Sequence, residues 1–244
     1  MEKSLTNTYS YTIIPQDLDA RRNFRAVALE RALLNVAGSA ANDRGFGAFK
    51  LIDSGSVSWV LLKVAIEMTQ MPVEDETLQI ETWVESVNRM LTTRNFIIRN
   101  AEGKTLGYAS TEWTIINLET RRPVNIMADT SIADVVNPVP VPATLPGKLP
   151  EVQSPPRRTL TVSYSDIDYN GHTNSMQYLQ WMLDAYPVEE LYERQIARLE
   201  IIYMKEVRYG ETVDICFDNL EDGSTLFAAR CDGRDCASAR IVWK

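Results

Sequence analysis

The sequence predicts an α+β fold in which one unit is used twice. Three observations carry this. Each half of the chain runs strand, long helix, then several strands. Short motifs recur in the same order in both halves. A proline-rich stretch divides them, with seven of the 11 prolines between Pro138 and Pro156. A helix followed by an antiparallel meander is the α+β order. A chain of 244 residues is long enough for two such units.

The first half opens on a β-rich segment, Thr8-Tyr9-Ser10-Tyr11-Thr12-Ile13-Ile14. A helix follows from Phe24 to Ala37, because Val27, Leu33, Leu34 and Ala37 recur near helical spacing. Strands are predicted over Val57–Glu67, Thr77–Val87, Thr92–Arg99 and Gly107–Asn117, with a turn at Asn100-Ala101-Glu102-Gly103. The run Asn137-Pro138-Val139-Pro140-Val141-Pro142 cannot be helix or central strand, since proline fixes φ and lacks a donor. It reads as an extended, semi-rigid spacer. The predicted division is therefore 1–137 for the first repeat, 138–156 for the linker and 157–244 for the second repeat.

The second half opens on Thr159-Leu160-Thr161-Val162-Ser163-Tyr164. Its helix is predicted from Asn174 to Tyr186, on the stripe Met176, Leu179, Met182, Leu183, Tyr186, with Pro187 helping to end it. That stripe reads as core packing. Strands follow over Arg198–Lys205, Thr212–Asp218, Thr225–Cys231 and Cys236–Val242, with turns at Asp222-Gly223 and Asp232-Gly233. The internal matches are Asp17-Leu18-Asp19 with Asp166-Ile167-Asp168, Glu76-Thr77-Leu78-Gln79-Ile80 with Glu211-Thr212-Val213-Asp214-Ile215, and Glu102-Gly103-Lys104 with Asp232-Gly233-Arg234.

Composition narrows the chemistry. Hydrophobic residues at 45% and charged residues at 24% are ordinary for a soluble globular protein, which excludes disordered and collagen-like chains. No run reaches the ~20 apolar residues of a membrane helix, and Met1–Ser10 has no apolar core of a secretory signal. Cys216, Cys231 and Cys236 form no C-x-x-C pair, so a reducing, cytoplasmic setting is expected rather than a disulfide framework. The single histidine, His172, excludes a multi-histidine metal site. A net charge of −8 disfavours nucleic acid as a partner, and no membrane partner is expected.

The densest polar constellation is Tyr164-Ser165-Asp166-Ile167-Asp168-Tyr169-Asn170-Gly171-His172-Thr173-Asn174, at a strand-to-helix junction. Asp168, Asn170 and His172 are spaced by two, which in extended backbone places them on one side. Asn170-Gly171 is a turn signal, so the chain bends inside the motif. A carboxylate, an amide and an imidazole beside a helix N-terminus could hold and polarise a carbonyl. The same residues also suit a plain turn and helix cap. Asp166-x-Asp168-x-Asn170-Gly171 matches the start of a calcium loop, but the twelfth position is Gln177 rather than glutamate, and a strand precedes it. No G-x-S-x-G elbow, phosphate-binding loop, dinucleotide fingerprint or H-E-x-x-H is present.

Over nearly its whole length the chain resembles the acyl-acyl carrier protein (acyl-ACP) thioesterase family, in particular its shorter bacterial members. The resemblance is carried by Ser165 to Asn174 with Tyr178 and Trp181-Met182-Leu183, and by Tyr203-Met204-Lys205-Glu206. In the first half it rests on Trp83-Val84, Glu112-Trp113 and Asn117-Leu118-Glu119-Thr120-Arg121-Arg122-Pro123. It implies a tandem (double) hotdog, each repeat a long helix wrapped by an antiparallel sheet, pairing as a pseudo-dimer. It implies hydrolysis of fatty acyl-ACP, ending chain elongation in fatty acid biosynthesis, without a cofactor or metal. The implied catalytic positions are Asp168, Asn170, His172 and Glu206. On that mapping Asp168 is nucleophile or base, His172 and Asn170 orient it and polarise the carbonyl, and Glu206 handles water. Plant members often carry cysteine after the glutamate; here it is Val207.

Aligning Asp19 with Asp168 sets Arg21 against Asn170 and Asn23 against His172, so one active site per chain is expected, with the first repeat shaping the acyl tunnel. Acyl carrier protein is itself acidic, and neither half of this chain is basic. Docking would use a local patch: Arg21-Arg22-Asn23-Phe24-Arg25, Arg121-Arg122 or Arg157-Arg158. An acyl-CoA thioesterase and a non-catalytic acyl-binding protein of the same fold are the alternatives. Acyl chain length and assembly, a homodimer included, are left open.

Overall fold

A computed structural model describes residues 4–129 and 131–244. The chain divides into two compact units, Met1–Leu145 and Pro146–Lys244. The first contains β1 (Asn7–Thr12), α1 (Ala26–Asp43), α2 (Ala48–Gly55), β2 (Val57–Met68), β3 (Thr77–Val87), β4 (Thr92–Arg99), β5 (Thr105–Asn117) and α3 (Ile126–Asp129). The second contains β6 (Arg158–Thr161), α4 (Ser175–Asp184), α5 (Val188–Tyr192), β7 (Ile196–Tyr203), β8 (Thr212–Asn219), β9 (Thr225–Cys231) and β10 (Arg234–Trp243).

The strand order in the first unit is β1-β3-β4-β5-β2, all antiparallel. In the second it is β6-β8-β9-β10-β7, again antiparallel. Replacing each first-unit strand by its counterpart five places on converts one order into the other. The duplication seen in short sequence matches is therefore a duplication of topology.

Within each unit a helix lies on one face of the sheet. In the first, α1 packs against β3. Leu29, Leu33, Val36 and Ala37 of α1 are buried, as are Leu78 and Ile80 on β3 and Phe96 and Ile98 on β4. The sheet residues alternate, which is the period-two pattern of a sheet with one face covered. In the second, α4 packs against β8 and β9, and buries Tyr178, Leu179, Trp181 and Met182. Tyr178 sets its ring edge-on to Trp181 at 5.5 Å and to Tyr203 at 5.9 Å. The Met176–Tyr186 stripe is core at Leu179, Met182 and Tyr186, while Met176 and Leu183 are only half-buried.

Strand boundaries fall within three residues of those expected, the largest difference being β6, which ends at Thr161 rather than Tyr164 because the chain turns there. The helices differ more. α1 runs six residues beyond the expected end at Ala37, through Gly38-Ser39-Ala40-Ala41-Asn42-Asp43. Its end is set by backbone geometry. Gly45 adopts φ +84°, its N–H bonds the Asn42 carbonyl at 3.0 Å, and the Phe46 N–H bonds the Ala41 carbonyl at 3.0 Å. This is the Schellman arrangement, which satisfies the last carbonyls and favours glycine after the cap. Helix α4 stops at Asp184, two residues before the predicted Tyr186. Pro187 then caps the short α5, whose first turn holds Glu189 and Glu190 at the positive end of its dipole. α2 and α5 were not expected, because at eight and five residues each is shorter than the stretch over which helical periodicity is read.

The proline-rich stretch is irregular, and its carbonyls are used as acceptors. Val139 accepts from Trp83 Nε1 at 2.8 Å and from Asn95 Nδ2 at 3.2 Å, and Val152 accepts from Arg230 at 2.7 Å. A segment poor in N–H donors can still be fixed through its C=O groups.

Phe96 is fully buried at the centre of the first unit. Phe96→Ala is expected to lower unfolding free energy by about 3–5 kcal/mol, read as a fall in the denaturant midpoint with little change in slope.

Candidate active site

The segment from Ile167 to Thr173 folds as a tight loop closed by an antiparallel bridge between those two residues. The Asp168 N–H bonds the His172 carbonyl at 2.8 Å, and the Gly171 N–H bonds the Asp168 carbonyl at 3.0 Å. Gly171 takes φ +77°, the left-handed conformation that glycine adopts without strain. Inside the loop, Asp168 Oδ1 accepts the Asn170 N–H at 2.8 Å and the His172 N–H at 3.4 Å. The turn signal at Asn170-Gly171 thus dominates, and the spacing by two does not place three side chains on one extended edge.

This corrects one expectation. The Asp168 carboxylate is oriented by the main-chain amides of Asn170 and His172, and neither of their side chains bonds it. The imidazole turns the other way, with Nε2 3.4 Å from Glu206 Oε2. The His172 side chain is 14% exposed and that of Glu206 38%, so the ring is largely enclosed while its carboxylate partner reaches water. With Nε2 as donor, the neutral ring presents Nδ1 as an acceptor. The Asn170 side-chain amide makes no hydrogen bond to any described residue. Asp168 and Asn170 are half-buried.

Glu206 lies 34 positions beyond His172 in sequence and is brought to it by the fixing of the segment after β7. Thr173 N–H bonds the Val207 carbonyl at 2.9 Å, the Tyr178 hydroxyl donates to the Lys205 carbonyl at 3.3 Å, and Val207 is fully buried. Burial pushes the Tyr178 phenol pKa well up, so the hydroxyl stays protonated and remains a donor. On the helix side, the Asn174 side chain accepts the Met176 N–H at 3.2 Å as the N-cap of α4. Asp166, the first acid of the calcium-like pattern, accepts the Ser163 N–H at 2.7 Å and closes the turn before the loop.

The first unit holds the same loop at Leu18 to Phe24. Asp19 N–H bonds the Asn23 carbonyl at 2.9 Å, Arg22 N–H bonds the Asp19 carbonyl at 3.0 Å, and Asp19 Oδ1 accepts from Arg21 N–H and Asn23 N–H, both at 2.8 Å. Even the left-handed residue is matched, Arg22 at φ +64°. One difference is chemical. Asn23 Nδ2 donates to Asp19 Oδ2 at 3.0 Å, so both carboxylate oxygens are occupied. In the second loop His172 replaces Asn23, and among the described residues no donor reaches Asp168 Oδ2.

The acid preceding each loop also differs. Asp17 is fully buried, accepts from the Tyr11 hydroxyl at 2.8 Å and the Ile14 N–H at 3.1 Å, and pairs with Arg31. Its counterpart Asp166 is half-buried. The first loop is thus tied into a structural network absent from the motif reading, since Tyr11, Asp17 and Arg31 lie on three different elements.

The cysteines supply no competing nucleophile. All three are buried free thiols, and burial raises each pKa, that of Cys236 to about 11. A thiol so shifted stays protonated at neutral pH. Of the basic clusters, Arg22 pairs with Glu74 at 3.2 Å, Arg25 donates to the Gln16 carbonyl, Arg157 lies over the Phe217 ring at 5.2 Å and Arg158 pairs with Asp184 at 3.0 Å.

Comparison with known proteins places this geometry. The acyl-ACP thioesterase N-terminal domain matches residues 4–133, and the acyl-ACP thioesterase C-terminal domain matches residues 150–244. An acyl-ACP thioesterase from Bacteroides thetaiotaomicron is 34% identical, with a TM-score of 0.89 over 98% of each chain. A 12:0-ACP thioesterase from Umbellularia californica, 18% identical, has the same fold, with a TM-score of 0.88 over 99% of this chain and 98% of that one. The chloroplastic oleoyl-acyl carrier protein thioesterase of Coriandrum sativum is 26% identical over 182 residues, 70% of this chain and 49% of that protein. The chain spans about half the length of the curated relatives it matches. Two hotdog-type α+β units and two matched domains in succession make the chain a member of the acyl-ACP thioesterase family.

Proposed function

We propose that this chain hydrolyses the thioester of fatty acyl-ACP, releasing free fatty acid and ending elongation in fatty acid biosynthesis, at one active site per chain. The observation that supports this best is the contrast between the two loops. Both aspartates are held by two backbone amides through Oδ1, and only Asp168 keeps an oxygen without a donor among the described residues. An anchored carboxylate with one available oxygen is suited to act on an electrophilic carbonyl.

In this reading Asp168 Oδ2 attacks the thioester carbonyl carbon, the C–S bond breaks, and the carrier thiolate leaves and takes a proton from the Glu206–His172 pair, which the second step restores. The resulting acyl-aspartyl anhydride is cleaved by water whose proton passes to the Glu206–His172 pair, regenerating Asp168 and releasing the carboxylic acid. Asn170, with an unengaged side-chain amide, donates to the developing oxyanion. Residues 157–244 supply this chemistry, and residues 1–137 shape the acyl-chain site. The partner is acyl carrier protein bearing the acyl chain, met through a local basic surface. Three free thiols suit a reducing, cytoplasmic setting.

Purified chain assayed on a ladder of acyl-ACP lengths, with matched acyl-CoA for comparison, is expected to release fatty acid with higher kcat/KM on acyl-ACP. Binding of acyl-ACP without turnover would overturn the reading. Asp168→Asn keeps the Oδ1 acceptor and removes the charge. It is expected to lower kcat by at least about 100-fold with little change in melting temperature. Asp168→Ala also strips the two amide bonds, and is expected to cost a further ~1–2 kcal/mol of stability. Asp19→Asn should leave kcat/KM within about threefold of wild type, a difference under 1 kcal/mol. Equal loss in Asp19→Asn and Asp168→Asn would remove the single-site assignment.

A further inference from the structure

Glu206 lies three residues beyond the end of β7 at Tyr203, outside the sheet. Its direction depends on the two peptide groups on either side of it, because a residue has only two soft backbone dihedrals. One buried side chain meets both. The Tyr178 hydroxyl, on α4, donates to the Lys205 carbonyl at 3.3 Å, in the peptide before Glu206. Burial raises the phenol pKa, and the main-chain amide of Val207, in the peptide after Glu206, interacts with the same oxygen and lowers it.

The segment is anchored on both sides of that point. The Met204 and Lys205 N–H groups share the Cys236 carbonyl at 2.8 and 3.1 Å, and the Val207 carbonyl accepts the Thr173 N–H at 2.9 Å. Tyr178 supplies the contact at Glu206 itself. Its ring stands edge-on to Trp181 and Tyr203, contacts that phenylalanine would make equally well. At 3.3 Å its hydrogen bond is longer than the roughly 2.7–2.8 Å usual between oxygens, so it adds little to stability. What the hydroxyl adds beyond packing is a fixed place for Glu206, whose Oε2 lies 3.4 Å from His172 Nε2.

We infer that Tyr178 is a positioning residue for the hydrolysis proposed above, an inference that rests on that reading of the site. Its phenol holds the main chain on both sides of Glu206 and so sets the carboxylate against the imidazole. It touches no reacting atom in this role. Without the hydroxyl the carboxylate is free to swing. The step that uses the Glu206–His172 pair then slows while substrate binding is kept, because a small displacement of a catalytic group is enough to slow the chemistry.

The test is Tyr178→Phe in the full, untagged chain. The kcat on acyl-ACP is expected to fall about 10–100-fold, with KM within about threefold of wild type. The melting temperature is expected to fall by no more than about 4 °C. Tyr186→Phe is the control. It removes another buried hydroxyl, which donates to Asn219 Oδ1 at 3.0 Å and accepts from Arg194 at 2.9 Å. It is expected to lower the melting temperature and keep kcat within about threefold. In a Glu206→Gln background, Tyr178→Phe is expected to lower kcat by less than about threefold further, because the two residues act as one unit. A second readout needs no turnover. His172 is the single histidine of the chain, so its ring gives one imidazole signal by NMR. Tyr178→Phe is expected to move that signal toward its position in Glu206→Gln. If the phenylalanine variant does not fold, Tyr178→Met, which also lacks the donor, carries the same expectations. The inference is overturned if Tyr178→Phe keeps wild-type kcat, if its effect is undiminished in the Glu206→Gln background, or if the ring signal does not move. Absence of turnover in the wild-type chain would remove the proposed hydrolysis instead, and the ring signal would still decide whether Tyr178 places Glu206.

Discussion

The active-site region depends on one interaction, the acceptance of two main-chain amides by a single aspartate oxygen. Asp168 Oδ1 draws the Asn170 and His172 N–H groups inward and closes the loop. That closure directs the imidazole toward Glu206 and leaves Oδ2 outside the loop's own bonding. The carboxylate that closes the loop keeps one oxygen open. Its two oxygens differ, one bound to the loop and one without a donor among the described residues.

The surrounding packing serves that division. The Thr173 amide and the Tyr178 hydroxyl bind carbonyls of Val207 and Lys205, so Glu206 is presented from a braced segment. The brace begins in the core, since Tyr178 is buried among Trp181 and Tyr203. A core aromatic therefore holds the backbone that carries a half-exposed acid. Side chains locked by packing in this way keep a site within the tolerance that chemistry requires.

Much of this was legible in the residues. Turn residues bounded Thr92–Arg99 and Thr225–Cys231 at their observed limits, with Asn100-Ala101-Glu102-Gly103 after the first and Asp222-Gly223 and Asp232-Gly233 flanking the second. The end of α1 was not legible from periodicity, since Gly45 and Phe46 terminate it through backbone bonds. Asp168, Asn170, His172 and Glu206 were singled out through motif resemblance, whereas their orientation was not legible there. The spacing argument treated the backbone as extended, and the aspartate instead folds it back on itself. The His172–Glu206 approach joins two segments that only tertiary packing aligns.

The two loops share a backbone conformation while differing at all four positions after the aspartate: Ala20, Arg21, Arg22 and Asn23 in one, Tyr169, Asn170, Gly171 and His172 in the other. The scaffold is thus indifferent to the side chains it displays, provided the aspartate and the hairpin closure remain. Backbone conformation and displayed side chains vary independently between the two units. One frame thus carries an aspartate closed off by the Asn23 amide in the first unit and an aspartate with an open oxygen in the second.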